Sequence, residues 1–132
     1  GMSRAQAWRH MATCIGHQSI HGYSFYSVVE KASGKWAGRV GHWNPEGWPE
    51  PEVGWTIHRP FWRKGYAKEA GQACTNFAFN ELGWSRVVHT IAMDNVASIK
   101  TAEAIGSKLL YTVDHIPAIS EDPHFVYGQD KL

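Results

Sequence analysis

The sequence predicts a mixed α/β domain: one sheet with helices packed on both of its faces. Three observations lead there. Residues 23–42 read as two strands joined by a glycine-containing turn. After Gly65 the apolar positions change from an alternation of two to a helical stripe. A second strand-like run, 86–93, then lies between two helical segments, so strands and helices interleave along the chain.

Taken in order, Ser3 suits the cap of a first helix that runs to about Cys14, with Gly16 closing it. Tyr23–Glu30 (YSFYSVVE) is aromatic and β-branched and reads as a strand, KASGK as its turn, and Lys35–His42 (KWAGRVGH) as the returning strand. WNPEGWPEP, residues 43–51, is a loop by its Pro and Gly content. Glu52–His58 puts Val53, Trp55 and Ile57 on one face of a third strand. Ala67, Ala70, Cys74, Phe77, Ala78 and Leu82 then form the stripe of a helix that Gly83 ends. Arg86–Met93 carries apolar residues on both faces, as a buried central strand does. Asn95 caps a helix that runs to Ile105 and stops at Gly106, and strands follow at 108–113 and 125–128.

Composition narrows the function classes. A chain of 132 residues, 43% apolar and 19% charged, is expected to form one globular domain over residues 1–132. A net charge of +1 supplies no long-range field for nucleic acid or a membrane surface, and no apolar run reaches the roughly 18 residues a membrane helix needs. Cys14 and Cys74 form no CxxC and read as reduced thiols of a cytoplasmic protein. Gly1 ahead of Met2 reads as the remnant of a cleaved tag. Trp43, Trp48, Trp55 and Trp62 cluster, but no Lys or Arg lies between Trp43 and Ile57, which argues against a platform for single-stranded nucleic acid. They serve packing or wall a pocket. His17-x3-His21 has a metal-like spacing but no HExxH, and no metal site is expected.

The segment that carries chemistry is RPFWRKGYAKEAG, residues 59–71. A strand ends at His58 and a helix opens near Gly65, so free backbone N–H groups and the positive end of a helix dipole face one short loop. Those groups suit a pyrophosphate. Gly65 allows close backbone approach, Ala67 leaves room, and Arg63, Lys64 and Lys68 add positive charge. Neither GxxxxGK[ST] nor GxGxxG is present.

Residues 62–67, WRKGYA, resemble the acyl-CoA-binding motif of the GNAT superfamily, [Q/R]xxGx[G/A], with Trp62 in the Gln/Arg position. The longer string WRKGYAKEA resembles the RimJ/RimL branch. NVASIKTAEAIG, residues 95–106, resembles the family's NxxSxxxxExxG helix, and GHWNPEGWPEPEVGW its third and fourth strands. The resemblance covers roughly residues 20–113 and implies a mostly antiparallel GNAT-like sheet. It also implies that the family's usual first strand and helix are missing ahead of Ser3.

It further implies an N-acetyltransferase that moves an acetyl group from acetyl-CoA to an amine of a protein N-terminus or a small molecule. The alternative is a degenerate GNAT domain that binds acyl-CoA or a protein partner without turnover. By position, main-chain groups of Trp55 and Ile57 hold pantetheine, and Arg63, Lys64, Gly65, Tyr66, Ala67 and Lys68 hold the pyrophosphate. Asn95 and Ser98 lie near the thioester, although both also suit helix capping. Glu52 is the candidate base or a solvated strand-edge acid, with His42 and His58 as rivals. The family's frequent Tyr acid falls at Ala102, which leaves Ser98 as the nearest hydroxyl. A missing first strand would leave Tyr23–Glu30 as an apolar edge, and a homodimer that covers it is expected.

Overall fold

Ser3 starts the first helix, α1 (Arg4–His21), with a reciprocal cap: its hydroxyl accepts from the Gln6 N–H while the Gln6 side chain accepts from the Ser3 N–H. The computed structural model describes all 132 residues. The expected stop at Gly16 does not hold. The helix passes through Gly16 and ends at Gly22, whose φ of 79° makes the left-handed cap. A mid-helix glycine costs about 1 kcal/mol relative to alanine. His17, the one buried side chain of α1, offsets that cost. Its Nδ1–H donates to the Tyr23 carbonyl at 2.8 Å, its Nε2 accepts from the Asn44 N–H at 2.8 Å, and its ring stacks on Trp43. His17 is therefore occupied in docking α1.

Six strands follow: β1 (Phe25–Val29), β2 (Trp36–Trp43), β3 (Glu52–Ile57), β4 (Arg86–Ala92), β5 (Lys108–Val113) and β6 (His124–Asp130). They form one sheet in the order β1-β2-β3-β4-β6-β5. Neighbours are antiparallel except β3 and β4, which run parallel. Trp43 belongs to β2 and not to the following loop, because it pairs with Glu52. The last strand is seven residues long, beyond the four expected, since it pairs with β4 from Arg86 to Ala92. β1 and β2 approach closely at Gly41, where a Cβ would lie 2.4 Å from the Ser24 carbonyl oxygen.

Helices cover both faces. On one side, Phe25, Arg39, Trp43 and Glu52 lie under α1, whose His10 ring sits 5.8 Å from Trp43. On the other lie α2 (Tyr66–Asn80) and α3 (Val96–Ala104). There Val53, Ala78 and Val87 form a buried cluster with Trp55, Cys74, Phe79, Leu82 and Trp84 against it. Burial of each such valine contributes about 1.5–3 kcal/mol. Burial also pushes the Cys74 thiol up to about 11, so it stays protonated. No helix is long and apolar enough to cross a membrane.

Candidate functional site

The parallel pair at the sheet centre comes apart after one rung. Glu52 and Val88 are bridge partners, and the Val88 N–H donates to the Pro51 carbonyl at 3.2 Å. In a continuing parallel ladder the next bond would run from the Thr90 N–H to the Val53 carbonyl. Neither group is free to make it. The Thr90 N–H donates to Glu52 Oε1 at 2.8 Å, and the Val53 carbonyl accepts from His89 Nδ1 at 2.7 Å. Two side chains thus end the ladder, and a gap opens between β3 and β4. Since the Pro51 and Val53 carbonyls point toward β4, the two-residue period of the strand directs the main-chain groups of Trp55 and Ile57 the same way, into the gap. The Ile57 carbonyl is already engaged by the Trp62 indole N–H at 2.6 Å.

Beyond β3 the chain makes one 3₁₀ turn (Arg59–Phe61) and enters α2 through a tight loop. Arg63 (φ 64°) and Gly65 (φ 79°) are both left-handed. For Arg63 that conformation costs about 1–2 kcal/mol. A Cβ on Gly65 would meet no atom within 4 Å, so the backbone there faces open space. The loop forms one end of a groove of about 620 Å³ that runs past Trp55, Ile57 and Thr101 to Asn95 and Ser98. A smaller cavity of about 110 Å³ lies in the gap itself, bounded by Glu52, Gly54, His89 and Thr90, and shares Trp55, Asn95 and Ser98 with the groove.

The predicted cofactor-binding residues Trp55, Ile57, Arg63, Gly65, Tyr66, Ala67, Lys68, Asn95 and Ser98 all line the groove. Lys64 does not. Its ammonium lies 3.3 Å from Glu30, on the chain just past β1, and the Tyr66 hydroxyl donates to the same carboxylate. The Tyr66 bond first, then those from Ser33 and Lys64, hold the Glu30 carboxyl down at about 2. Lys64 is therefore neutralised at the loop, and the charges that face the groove are Arg63 and Lys68.

Glu52 is not a solvated edge acid: it is 6% exposed. Burial lifts its pKa to about 7, against the opposing pull of the Thr90 N–H, the Trp48 indole and Arg39. Oε2 accepts from Trp48 Nε1 at 2.6 Å. Asn95 accepts from the Ser98 N–H at 3.2 Å and so caps α3, while Ser98 Oγ accepts from Trp55 Nε1 at 3.3 Å, which leaves the Ser98 proton free to donate. The rivals fall away on position. His42 is buried under α2, with Nε2 at 2.9 Å from the Cys74 carbonyl and its pKa lowered by burial. His58 is exposed beside Trp36 and Phe61. Ala102 is fully buried and offers no hydroxyl.

Two functional-looking groups escape sequence reasoning. His89 is fully buried in β4 and bridges to β3. A lone histidine within RVVHTIA was the available signal, because a polar group in a two-faced apolar strand needs partners. Arg39 lies under α1 with its guanidinium 4.1 Å over the Phe25 ring and Nη1 buried without a partner. Its charge favours the Glu52 carboxylate.

Comparison with known proteins bears on the family and the fold. Residues 1–108 match the family described as the acetyltransferase (GNAT) domain. The Bacillus subtilis protein YkkB is 33% identical over 95 residues, 70% of this chain and 55% of YkkB. The chain covers less than two thirds of the length of the curated relatives it matches. Among solved structures, a Bordetella pertussis protein assigned to the GnaT-family acetyltransferases superposes with a TM-score of 0.81 at 25% identity, over 97% of this chain and 78% of the other. The ribosomal-protein-S5-alanine acetyltransferase of Vibrio fischeri shares the fold at 18% identity and a TM-score of 0.75, over 98% of this chain and 76% of that one. So does the aminoglycoside acetyltransferase AAC(6′)-Ib, solved with coenzyme A, at 16% identity and a TM-score of 0.70, over 86% of this chain and 69% of the other.

Proposed function

The chain belongs to the GNAT acetyltransferase family, and on that premise we propose that it moves an acetyl group from acetyl-CoA to an amine by direct attack. The observation that carries this reading is the groove that joins the N-terminus of α2 to the gap between β3 and β4, with Glu52 in the gap. In this reading the amides of residues 63–67 and the charges of Arg63 and Lys68 take the pyrophosphate. The open backbone at Gly65 supports it, since any side chain there would occupy the groove. Pantetheine pairs with the main chain of Trp55 and the Ile57 N–H in the manner of an added strand.

The chemistry then follows. The neutral amine attacks the thioester carbon, its nitrogen forms the new C–N bond, and the C–S bond breaks. A main-chain N–H of β3 stabilises the oxyanion. The Glu52 carboxylate accepts the ammonium proton, directly or through water, and a pKa of about 7 suits that task near neutral pH. The thiolate, with a free pKa near 8.5, is a good leaving group that departs as the anion, steadied by a hydrogen bond from the Ser98 hydroxyl, and it takes up the proton that the new amide nitrogen sheds.

The acceptor class is a primary amine on a protein N-terminus or a small molecule. The test is release of free CoA thiol with a panel of N-terminal peptides, polyamines and aminoglycosides. Release above background with at least one amine is expected. Tight acetyl-CoA binding without release for any amine would favour the non-catalytic alternative.

We also place a second copy of the chain on the β1 edge. β1 ends the sheet, with Tyr26 and Val29 exposed, and the outward face of α1 carries exposed Trp8, Met11 and Ile15 at helical spacing. Light scattering is expected to report a homodimer that Tyr26→Lys with Ile15→Asp disperses. A stable wild-type monomer at micromolar concentration would refute this assembly.

A further inference from the structure

We propose that His89 is a positioning residue for this transfer: it takes the Val53 carbonyl out of the sheet ladder and so holds the gap between β3 and β4 at the width the pantetheine arm needs. The inference rests on the acetyl-CoA reading above.

The tautomer follows from the partners. The Val53 carbonyl can only accept, so Nδ1 carries the proton, and Nε2 accepts from the Ser107 hydroxyl at 2.8 Å. Ser107 Oγ in turn accepts from Gln129 Nε2 at 2.9 Å, and the second proton of that amide goes to the Ile105 carbonyl at 2.9 Å. The chain of bonds therefore runs from β6 through the turn after α3 and through β4 to the main chain of β3, and the two His89 bonds within it are fully buried. A neutral ring is required throughout, and burial pushes the His89 pKa down to about 4. The ring centroid also lies 4.8 Å from that of Trp55, whose indole holds Ser98. One side chain thus fixes the edge along which pantetheine would lie and steadies the hydroxyl at its end.

Without it, the Val53 carbonyl is a buried acceptor whose nearest natural donor is the Thr90 N–H, now held by Glu52. Closing that bond would extend the ladder by a rung and narrow the gap. The pyrophosphate loop, one strand length away, would be untouched. A misplacement of about 1 Å at a reacting centre costs on the order of 100-fold in rate.

The experiment is calorimetry on the full chain with two probes, acetyl-CoA and its nucleotide half, 3′-phospho-ADP. Three variants are compared with the wild type: His89→Leu, His89→Asn and Ser107→Ala. The Asn amide sits where Nδ1 does and can still donate to Val53. His89→Leu is expected to lose at least about 10-fold in acetyl-CoA affinity while 3′-phospho-ADP binding changes less than about 3-fold, an effect short of the full rate cost of misplacement. His89→Asn is expected to recover most of the loss, and Ser107→Ala, which keeps the ring but unties Nε2, to fall between. Acetyl-CoA affinity in His89→Leu within twofold of the wild type would overturn the inference and leave the acetyl-CoA reading intact. Equal loss of both probes in all three variants would also overturn it, because that outcome marks a role in folding and not in the gap. A wild type that binds neither probe would overturn the reading and the inference together.

Discussion

Replacing Glu52 by Gln removes a charge from a side chain that is 6% exposed and bonded at both oxygens. Burial raises its pKa from 4.5 to about 7. The folded value lies above the unfolded one, so folding favours the protonated form. The associated stabilisation is whole below about pH 4.5 and is lost as the pH rises through about 7. A shift of this size is worth about 3 kcal/mol, most of which disappears between about pH 5 and 8.5. Gln does not titrate. It offers one acceptor oxygen to two donors, the Thr90 N–H and the Trp48 indole, so one donor loses its partner at a constant cost of about 1–3 kcal/mol. The variant should therefore be the less stable protein at about pH 5, with the difference closed or reversed by about pH 8.5. Urea unfolding at both values reads this directly. The same substitution should slow thiol release about 10²–10⁴-fold near neutrality and less at high pH, where the acceptor amine is already neutral. Parallel pH–stability curves would refute the raised pKa. An unchanged pH–rate profile would refute the role as base.

Two further outcomes follow from geometry. Gly41→Ala places a Cβ 2.4 Å from the Ser24 carbonyl oxygen and 2.6 Å from the Phe25 Cα, and backbone cannot yield as a side chain would. A loss of about 2 kcal/mol or more is expected, read as a fall in Tm of about 5–10 °C. Lys68→Ala should weaken acetyl-CoA binding about 5–10-fold, roughly 1 kcal/mol, whereas Lys64→Ala should change it less than about twofold because Glu30 already neutralises that ammonium. Calorimetry that ranks them the other way would contradict the assigned ion pair.

Much of the architecture was legible because each element carried its own local signal. The change of apolar period at Gly65, the cap at Asn95 and the two-faced apolar run after Arg86 each mark an element within a residue or two of its place. The miss in α1 has a physical cause. Gly16 was a plausible stop, but helix ends are decided by tertiary anchors as well as by propensity, and His17 docks between Tyr23, just past the helix end, and Asn44, 27 residues further along the chain. The groove was legible for a similar reason: a strand-to-helix loop with Gly65 presents its amides wherever the helix points. Lys64 was not, because its partner Glu30 lies 34 residues earlier, just past β1. His89 hid within an apolar string, and the burial of Glu52 depends on Trp48 and on the single rung between β3 and β4. The partners that decide both roles, Val53 and Ser107 for His89 and Thr90 for Glu52, are distant along the chain, and no local pattern names them.

Acetyl transfer by this fold requires that the loop at the start of α2 receive acetyl-CoA. At Gly65 an added Cβ would touch no protein atom within 4 Å, so Gly65→Ile perturbs the fold chiefly through its φ of 79°, a cost on the order of 1–2 kcal/mol. The side chain it adds would project into the space the pyrophosphate needs. Titration calorimetry of acetyl-CoA into the wild type and Gly65→Ile, with thermal unfolding of both alongside, separates the two effects. Binding by the wild type is expected, with a loss of about 100-fold or more in the variant, which stays folded. A folded Gly65→Ile protein that binds acetyl-CoA as tightly as the wild type would rule out this loop as the pyrophosphate site.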